Sequence, residues 1–287
     1  MQLSTELAPA DSQRIQRIKE AAFRIRTNAL IQAEVQGQGY IGQALDIADV
    51  LAVLYSDQLK LRPEDPEWED RDRCLLSIGH YAIALYAALA EAGILPAEEL
   101  ETYAADDSRL PMSAMASYTP GVEISGGSLG HGLAVANGVA LGLKRKKNGA
   151  FVYNILSDGE LNEGSTWEAA AVAAHHQLDN LVAIVDFNDQ QADGKSQEML
   201  GMEPIEGKFE AFGWLTRRVD GNDVAAVLTA LQELRASNAR QPRCLIANTK
   251  LGKGVDFLES REKLHFMTVA PDEWQQAHDR LKESFQA

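Results

Sequence analysis

The sequence predicts an α/β fold, a doubly wound and mostly parallel sheet with helices on both faces. Three observations lead there. Apolar, strand-like runs at 152–156 and 180–187 flank a segment of helical length, and this alternation builds βαβ units. The stretch Val182-Ala183-Ile184-Val185 is apolar without alternation, as a parallel strand covered on both faces must be. The chain of 287 residues, 45% apolar and 24% charged, has ordinary globular composition and ample length for a core.

The elements follow in order. Residues 11–36 read as a helix: Asp11 or Ser12 can cap it, and Ile15, Ile18, Ala22, Ile25 and Ala29 recur at helical spacing before Gly37 and Gly39 break it. A second helix is expected over 45–55, and residues 62–73 form a polar loop stiffened by Pro63 and Pro66. A third helix runs over 81–91, with Gly93 as its stop. Residues 121–132 are a short apolar run opening into a Gly-rich turn, followed by an apolar helix over 133–147. The basic run at 144–147 meets the negative end of that helix, with Asn148-Gly149 as the stop. The strand at 152–156, a turn at 157–164, a helix at 165–176 and the strand at 180–187 make the central unit. His175 and His176 fall at the end of its helix, one expected on the surface and one in the core. A later strand is expected at 244–247 and a closing amphipathic helix after 274. The whole, 1–287, is expected to be one domain, with 1–60 as an N-terminal helical segment.

Charge and composition narrow the function classes. With 42 acidic against 27 basic side chains the net charge is −15, which argues against nucleic-acid or anionic-membrane partners. No run of about 18 apolar residues could span a bilayer, and the first residues lack the basic start and apolar stretch of a secretory signal. Two cysteines, Cys74 and Cys244, suit a reducing compartment, so a cytoplasmic location is expected.

The chemistry concentrates at two strand ends. Asp158 closes one apolar strand and Asn188 the next; in a parallel sheet those ends lie side by side, at the edge where ligands bind. Either alone would be a cap or a turn residue. Together they offer few, hard oxygen donors of the kind that suit Mg²⁺ shared with phosphates, and the Gly159 backbone and the helix start beyond it add N–H groups for the same anion.

The stretch Asp158-Gly159-Glu160-Leu161-Asn162-Glu163-Gly164, closing with Asp186-Phe187-Asn188, resembles the thiamine diphosphate motif, with Ser157 in place of its first Gly. The similarity covers about residues 15–270: the blocks at 71–95, 119–144, 166–194 and 248–265 resemble segments of the N-terminal, diphosphate-binding part of the transketolase family. The resemblance implies that Asp158, Asn188 and the Gln190 carbonyl would ligate Mg²⁺ (Ca²⁺ or Mn²⁺ as substitutes), and that Gly159 and His80 would contact the diphosphate of thiamine diphosphate. Gly127 and Leu129 would lie against the aminopyrimidine. Glu163 and Glu168 match acidic residues at the subunit interface beside the cofactors, and His265 matches a histidine near the diphosphate and substrate channel; His80 and His265 are the implied catalytic histidines.

Departures from the pattern are equally specific. The family block SGHPGGSL stands here as Gln38-Gly39-Tyr40-Ile41-Gly42-Gln43-Ala44-Leu45, so Tyr40 replaces a substrate-facing histidine, and Ser113 aligns with a second one. Preserved cofactor chemistry with a reshaped sugar pocket points toward the split bacterial transketolases for unusual pentoses, with apulose 4-phosphate as the expected donor. In the family the glutamate that activates the cofactor ring sits in a following pyrimidine-binding domain. The resemblance therefore implies a second, C-terminal transketolase subunit, an α₂β₂ heterotetramer with cofactors at interfaces, and a two-carbon ketol transfer between sugar phosphates. Two rival readings are an NAD(P)-binding oxidoreductase using the Gly-rich turn at 126–132, and a non-catalytic structural subunit; the turn lacks the GxGxxG order that the first requires.

Overall fold

Strands that are apolar on both faces need a covering layer on each side, and the chain supplies both. The computed structural model describes residues 9–261 and 265–286, so the first eight positions of the expected N-terminal helical segment lie outside the described residues.

Helix α1 (Pro9–Gln36) turns Ile18, Ala22, Ile25 and Ala29 into the core, and Gly37 ends it at a φ of +68°, a conformation only glycine adopts freely. After β1 (Gln38–Gly39), the helix expected over 45–55 is two short ones, α2 (Ile41–Asp46) and α3 (Ala48–Val53), followed by a wide π-type turn at Leu54–Gln58. Ile47 between them has ψ near zero (−6°), which interrupts the helical ladder. The expected polar loop ends in a strand, β2 (Arg73–Leu76), and α4 (Ala82–Glu91) follows as predicted. An irregular stretch leads to α5 (Gly132–Arg145). Its stop is Lys147 at a φ of +58° rather than the Asn-Gly pair, and the basic run is partly paired, Lys144 with Asp179 and Lys146 with Glu69.

The central unit matches its expected bounds to within a residue: β3 (Val152–Ser157), α6 (Gly164–His175) and β4 (Leu181–Phe187). His175 and His176 are both exposed, so the expected core position is corrected: the helix ends at His175, and the next buried residue is Leu178. Beyond lie α7 (Ser196–Leu200), α8 (Ile205–Ala211), β5 (Leu215–Asp220), and α9 (Val224–Ala236), whose first N–H groups are capped by the Asp223 carboxylate. The chain closes with β6 (Arg243–Asn248), α10 (Asp256–Glu259), β7 (Met267–Thr268) and α11 (Glu273–Gln286).

The main sheet is wholly parallel, in the order β2-β3-β4-β6-β5. Successive strand residues enter opposite cores. Tyr153, Ile155, Val182, Ile184 and Leu245 pack into the larger one, with α1–α4 and α9; Val152, Leu156, Leu181, Ala183, Val185 and Ile246 pack into the other, with α5, α6 and α8. A separate antiparallel ribbon pairs Gln38 with Thr268 and Gly39 with Met267. That ribbon brings the residues after His265 beside those of α2. No described helix is long and apolar enough to cross a membrane.

Candidate functional site

The register that aligns Ser157 with Asp186 places the ends of β3 and β4 side by side, and the Asp158 N–H donates to the Asp186 carbonyl at 3.0 Å. The Asp158 side chain is 3% exposed. One of its oxygens accepts from the Gly159 N–H and the other from Ser196 Oγ, both at 2.8 Å. Burial pushes its carboxyl up to about 7, against the pull of the Ser196 hydrogen bond. Asp186, fully buried at the end of β4, accepts from Tyr81 Oη at 2.7 Å, Thr249 Oγ1 at 2.5 Å and Asn188 Nδ2 at 3.0 Å. Burial raises it to about 6 despite those donors. A third acid, Asp46 of α2, is likewise pushed up, by burial and then by Asp186.

Asn188 is the hub. Its Nδ2 lies 2.9 Å from Asp46 Oδ2, 3.1 Å from Tyr81 Oη and 3.0 Å from Asp186 Oδ2, which settles the amide orientation and leaves Oδ1 turned toward the Gln190 N–H at 3.1 Å. Asp46 Oδ1, Asn162 Oδ1 and Asp189 Oδ1 are buried without a hydrogen-bond partner, and Asp46, Asp158 and Asp186 form no ion pair, among the described residues. Buried carboxylates and orphaned oxygens of this kind are short of positive charge, and a hard divalent cation fits that donor set.

The histidines expected to act together are together. The rings of His80 and His265 lie 5.4 Å apart, and Tyr40 packs on both, at 4.7 Å from His80 and 5.4 Å from His265, with the Phe266 ring 5.1 Å from that of Tyr40. Burial, and then the neighbouring His265, holds His80 down to about 4; burial also lowers His265. Both rings are neutral near pH 7. The His80–Tyr81 dipeptide joins this cluster to the acids, since Tyr81 donates to Asp186.

The Gly-rich turn rests on the end of β2. The Gly127 N–H donates to the Ser77 carbonyl at 2.9 Å, and a Cβ on Gly126 would run into the Leu76 carbonyl oxygen. Ser113 Oγ donates to the Gly126 carbonyl at 3.4 Å and also lies where a Cβ on Gly79 would be, so Ser113 stands between this turn and the residue before His80. Leu129 is half-buried, and Glu163 and Glu168 are exposed. The Gly159 N–H, expected to face a phosphate, is engaged by Asp158 Oδ1. Glu160, unremarked in the sequence, is fully buried and braces the turn by accepting from the Gly130 N–H at 2.8 Å and from Ser77 Oγ. Asp46, Tyr81, Ser196, Thr249 and Gln43 were equally unannounced; only Asp186, a charge closing an apolar strand, carried a signal.

Residues 18–285 match the family described as transketolase, thiamine diphosphate binding domain. The chain belongs to the transketolase family. It is 62% identical over 260 residues to a transketolase family protein of Sinorhizobium fredii, covering 91% of this chain and 93% of that one. An apulose-4-phosphate transketolase subunit of Actinobacillus succinogenes is 38% identical, covering 92% of this chain and 95% of that one. The 6-deoxy-6-sulfo-D-fructose transketolase subunit SqwG of a Clostridium species is 37% identical, at 92% and 96% coverage. The solved transketolase of Campylobacter jejuni superposes with a TM-score of 0.87 and 31% identity, over 94% of this chain and 43% of that one. As a transketolase family member with its thiamine diphosphate-binding domain, the chain departs from the dinucleotide reading for a structural reason too: no strand leads into the turn at 126–132, as that fingerprint requires.

Proposed function

We propose that this chain is the diphosphate-binding subunit of a split transketolase, which moves a two-carbon ketol unit between sugar phosphates once a second chain supplies a pyrimidine-binding domain. The observation that carries the reading is the meeting of two groups across one dipeptide: the cation-deficient acids around Asn188, and the neutral His80–His265 pair next to them. Two relatives of matching extent are named as transketolase subunits, which supports a partner chain; an α₂β₂ assembly, with the exposed Glu163 and Glu168 at its interface, completes the proposal.

In this reading residues 1–287 act as one diphosphate-binding domain. Asp158, the Asn188 side chain and the Gln190 carbonyl would hold Mg²⁺, and the Gly159 backbone and His80 would meet the diphosphate. Gly127 and Leu129 would border the aminopyrimidine. Thiamine diphosphate, when bound, supplies the carbon nucleophile that cleaves a ketose C–C bond and carries the two-carbon unit. The protein's part is to position and to exchange protons: neutral His80 can donate one N–H to an oxygen and accept with its other nitrogen, and neutral His265 can donate one N–H, which suits a sugar hydroxyl or carbonyl. Tyr40, where the family has an imidazole, offers a phenol and a ring face instead, and Ser113 leaves room. A pocket changed at both positions discriminates between sugars by the hydroxyls it can pair. Apulose 4-phosphate is the proposed donor.

The test is reconstitution. The chain combined with a pyrimidine-domain partner should transfer two carbons from a ketose phosphate in the presence of thiamine diphosphate and Mg²⁺; the chain alone should not, and Asp158→Ala should abolish turnover in the complex. Activity that survives Asp158→Ala would refute the site, and a panel of ketose phosphates in which apulose 4-phosphate is inert would refute the donor.

A further inference from the structure

We infer that Gln43 is a positioning residue that fixes the tautomer of His265, so that the ring carries its proton on Nε2. The inference deepens the proposed function, since it rests on reading His265 as a site residue. Gln43 lies on α2, three residues after Tyr40, and is 1% exposed. Its Nε2 stands 2.9 Å from the His265 carbonyl oxygen and 3.1 Å from His265 Nδ1. A carbonyl oxygen only accepts, so the amide nitrogen, not the amide oxygen, faces it. The NH₂ group has two protons and no lone pair free to accept one, and only one of the protons is taken by the carbonyl. The second proton therefore points at Nδ1, which must present a lone pair. In the neutral ring the remaining proton is then on Nε2, the one donor the imidazole has.

The same geometry resists protonation of His265, because an imidazolium would set N–H against N–H, and burial acts in the same direction. His265 is thereby an obligate donor rather than a base. Two further observations point the same way. Gln43 Oε1 is buried with no partner among the described residues, so an apolar side chain would fill this position with less desolvation penalty than an amide; what the amide adds is the pair of bonds to His265. Position 43 also belongs to the block in which Tyr40 replaces a histidine, and the transketolase pattern has Gly where Gln43 stands. Tyr40, just before α2, packs roughly perpendicular to the His265 ring at 5.4 Å, so two residues three apart hold the ring, one by its aromatic contact and one at an edge nitrogen.

The experiment is long-range ¹H–¹⁵N correlation spectroscopy of the full chain labelled at its six histidines, with the His265 signals assigned by their loss in His265→Gln. The expected wild-type pattern is that of the Nε2–H tautomer. Gln43→Glu puts an acceptor beside Nδ1 and should switch His265 to the Nδ1–H form, whereas Gln43→Met, which only fills space, should leave a mixture of the two. A wild-type ring protonated on Nδ1, or a pattern unchanged in Gln43→Met, overturns the inference even if Gln43→Glu fails to fold. The spectra need neither cofactor nor partner, so they stand or fall apart from the transketolase reading. In the reconstituted enzyme, Gln43→Met should lower kcat at unchanged thiamine diphosphate affinity and have no further effect in a His265→Gln background; additive losses would show that Gln43 acts by another route.

Discussion

Asp46 accepts a hydrogen bond from Asn188 Nδ2 at 2.9 Å, although 142 positions separate them. The contact belongs to a series at three-residue spacing. Tyr40 packs on His80 and His265, Gln43 holds His265, Asp46 holds Asn188, and Asp49 of α3 pairs with Arg26. Residues three apart lie on neighbouring positions of a helix surface, so one segment can serve both halves of the site.

Asp46→Ala should therefore weaken the cation site without unfolding the chain. With Asp46 gone, the Asn188 amide loses one of the three acceptors that aim its Oδ1. Removing a group that orients a metal ligand lowers affinity roughly 10–100-fold. Titration calorimetry of Mg²⁺ into the thiamine diphosphate-loaded complex should show a loss in that range, with the far-ultraviolet spectrum unchanged; equal affinity would remove Asp46 from the site.

This series also marks what the sequence could and could not reveal. The strands β3 and β4 were legible because both faces are buried and their side chains are apolar apart from Asn154 and the last polar residues, Ser157 and Asp186, and Asp158 and Asn188 were legible as the polar positions just beyond those strands. β2 was hidden behind charged residues and is only four residues long. β5 reads Leu-Thr-Arg-Arg-Val-Asp because it is the sheet edge, where Arg217 pairs with Glu233 and Arg218 with Glu203 and Glu206. Gln43 and Asp46 sit in a fully buried helix, where no alternation of polar and apolar faces exists to be read. Their partners are set by the ribbon β1–β7 and by the seating of α2 against the residues just beyond β4 and β5, which are long-range facts.

The histidine pair predicts an acid-side loss of stability. The His80 ring titrates near 6.5 in an unfolded chain and at about 4 in the fold. Between those values the unfolded chain binds the extra proton, so stability is complete above pH 6.5, declines as pH falls toward 4, and loses nothing more from this group below it. The full effect is ~3 kcal/mol, at 1.36 kcal/mol for each pH unit separating the two values. Urea unfolding of the isolated chain at pH 7 and pH 5 should show wild type losing about 2 kcal/mol more than His80→Gln over that interval, by the same linkage. The difference between the two proteins cancels the titration of the nearby acids, and no difference would mean that His80 is not held neutral.

Two glycines should respond oppositely to the same change. A Cβ on Gly126 would collide with the backbone oxygens of Leu76 and Ser77, neither of which can move without displacing the end of β2. Gly138, inside α5, has nothing within 4 Å of where a Cβ would be. Gly138→Ala should raise the stability of the isolated chain by roughly 0.5–1 kcal/mol, the ordinary helix preference for alanine. Gly126→Ala should lower it by more than about 3 kcal/mol, the scale of severe steric and strain defects. Denaturant midpoints measured side by side decide the matter, and a tolerated Gly126→Ala would show that the turn is not seated on β2.

The last of the three-residue series supplies a stability test. Arg26 and Asp49 are 7% and 5% exposed, and they meet through two hydrogen bonds of 3.0 and 2.5 Å. Arg26 Nε also donates to the Leu45 carbonyl at 2.9 Å, and Asn222 Nδ2 donates to Asp49 at 3.0 Å. Arg26→Met would leave a carboxylate buried with only the Asn222 amide to meet it, a defect of about 3–5 kcal/mol. Replacing both partners by apolar side chains removes the stranded charge, so Arg26→Met combined with Asp49→Leu should be more stable than Arg26→Met alone. If the double variant were the less stable of the two, the pair would be held by its surroundings rather than by mutual neutralisation, and the anchoring of α2 and α3 on α1 would have to lie in their apolar contacts.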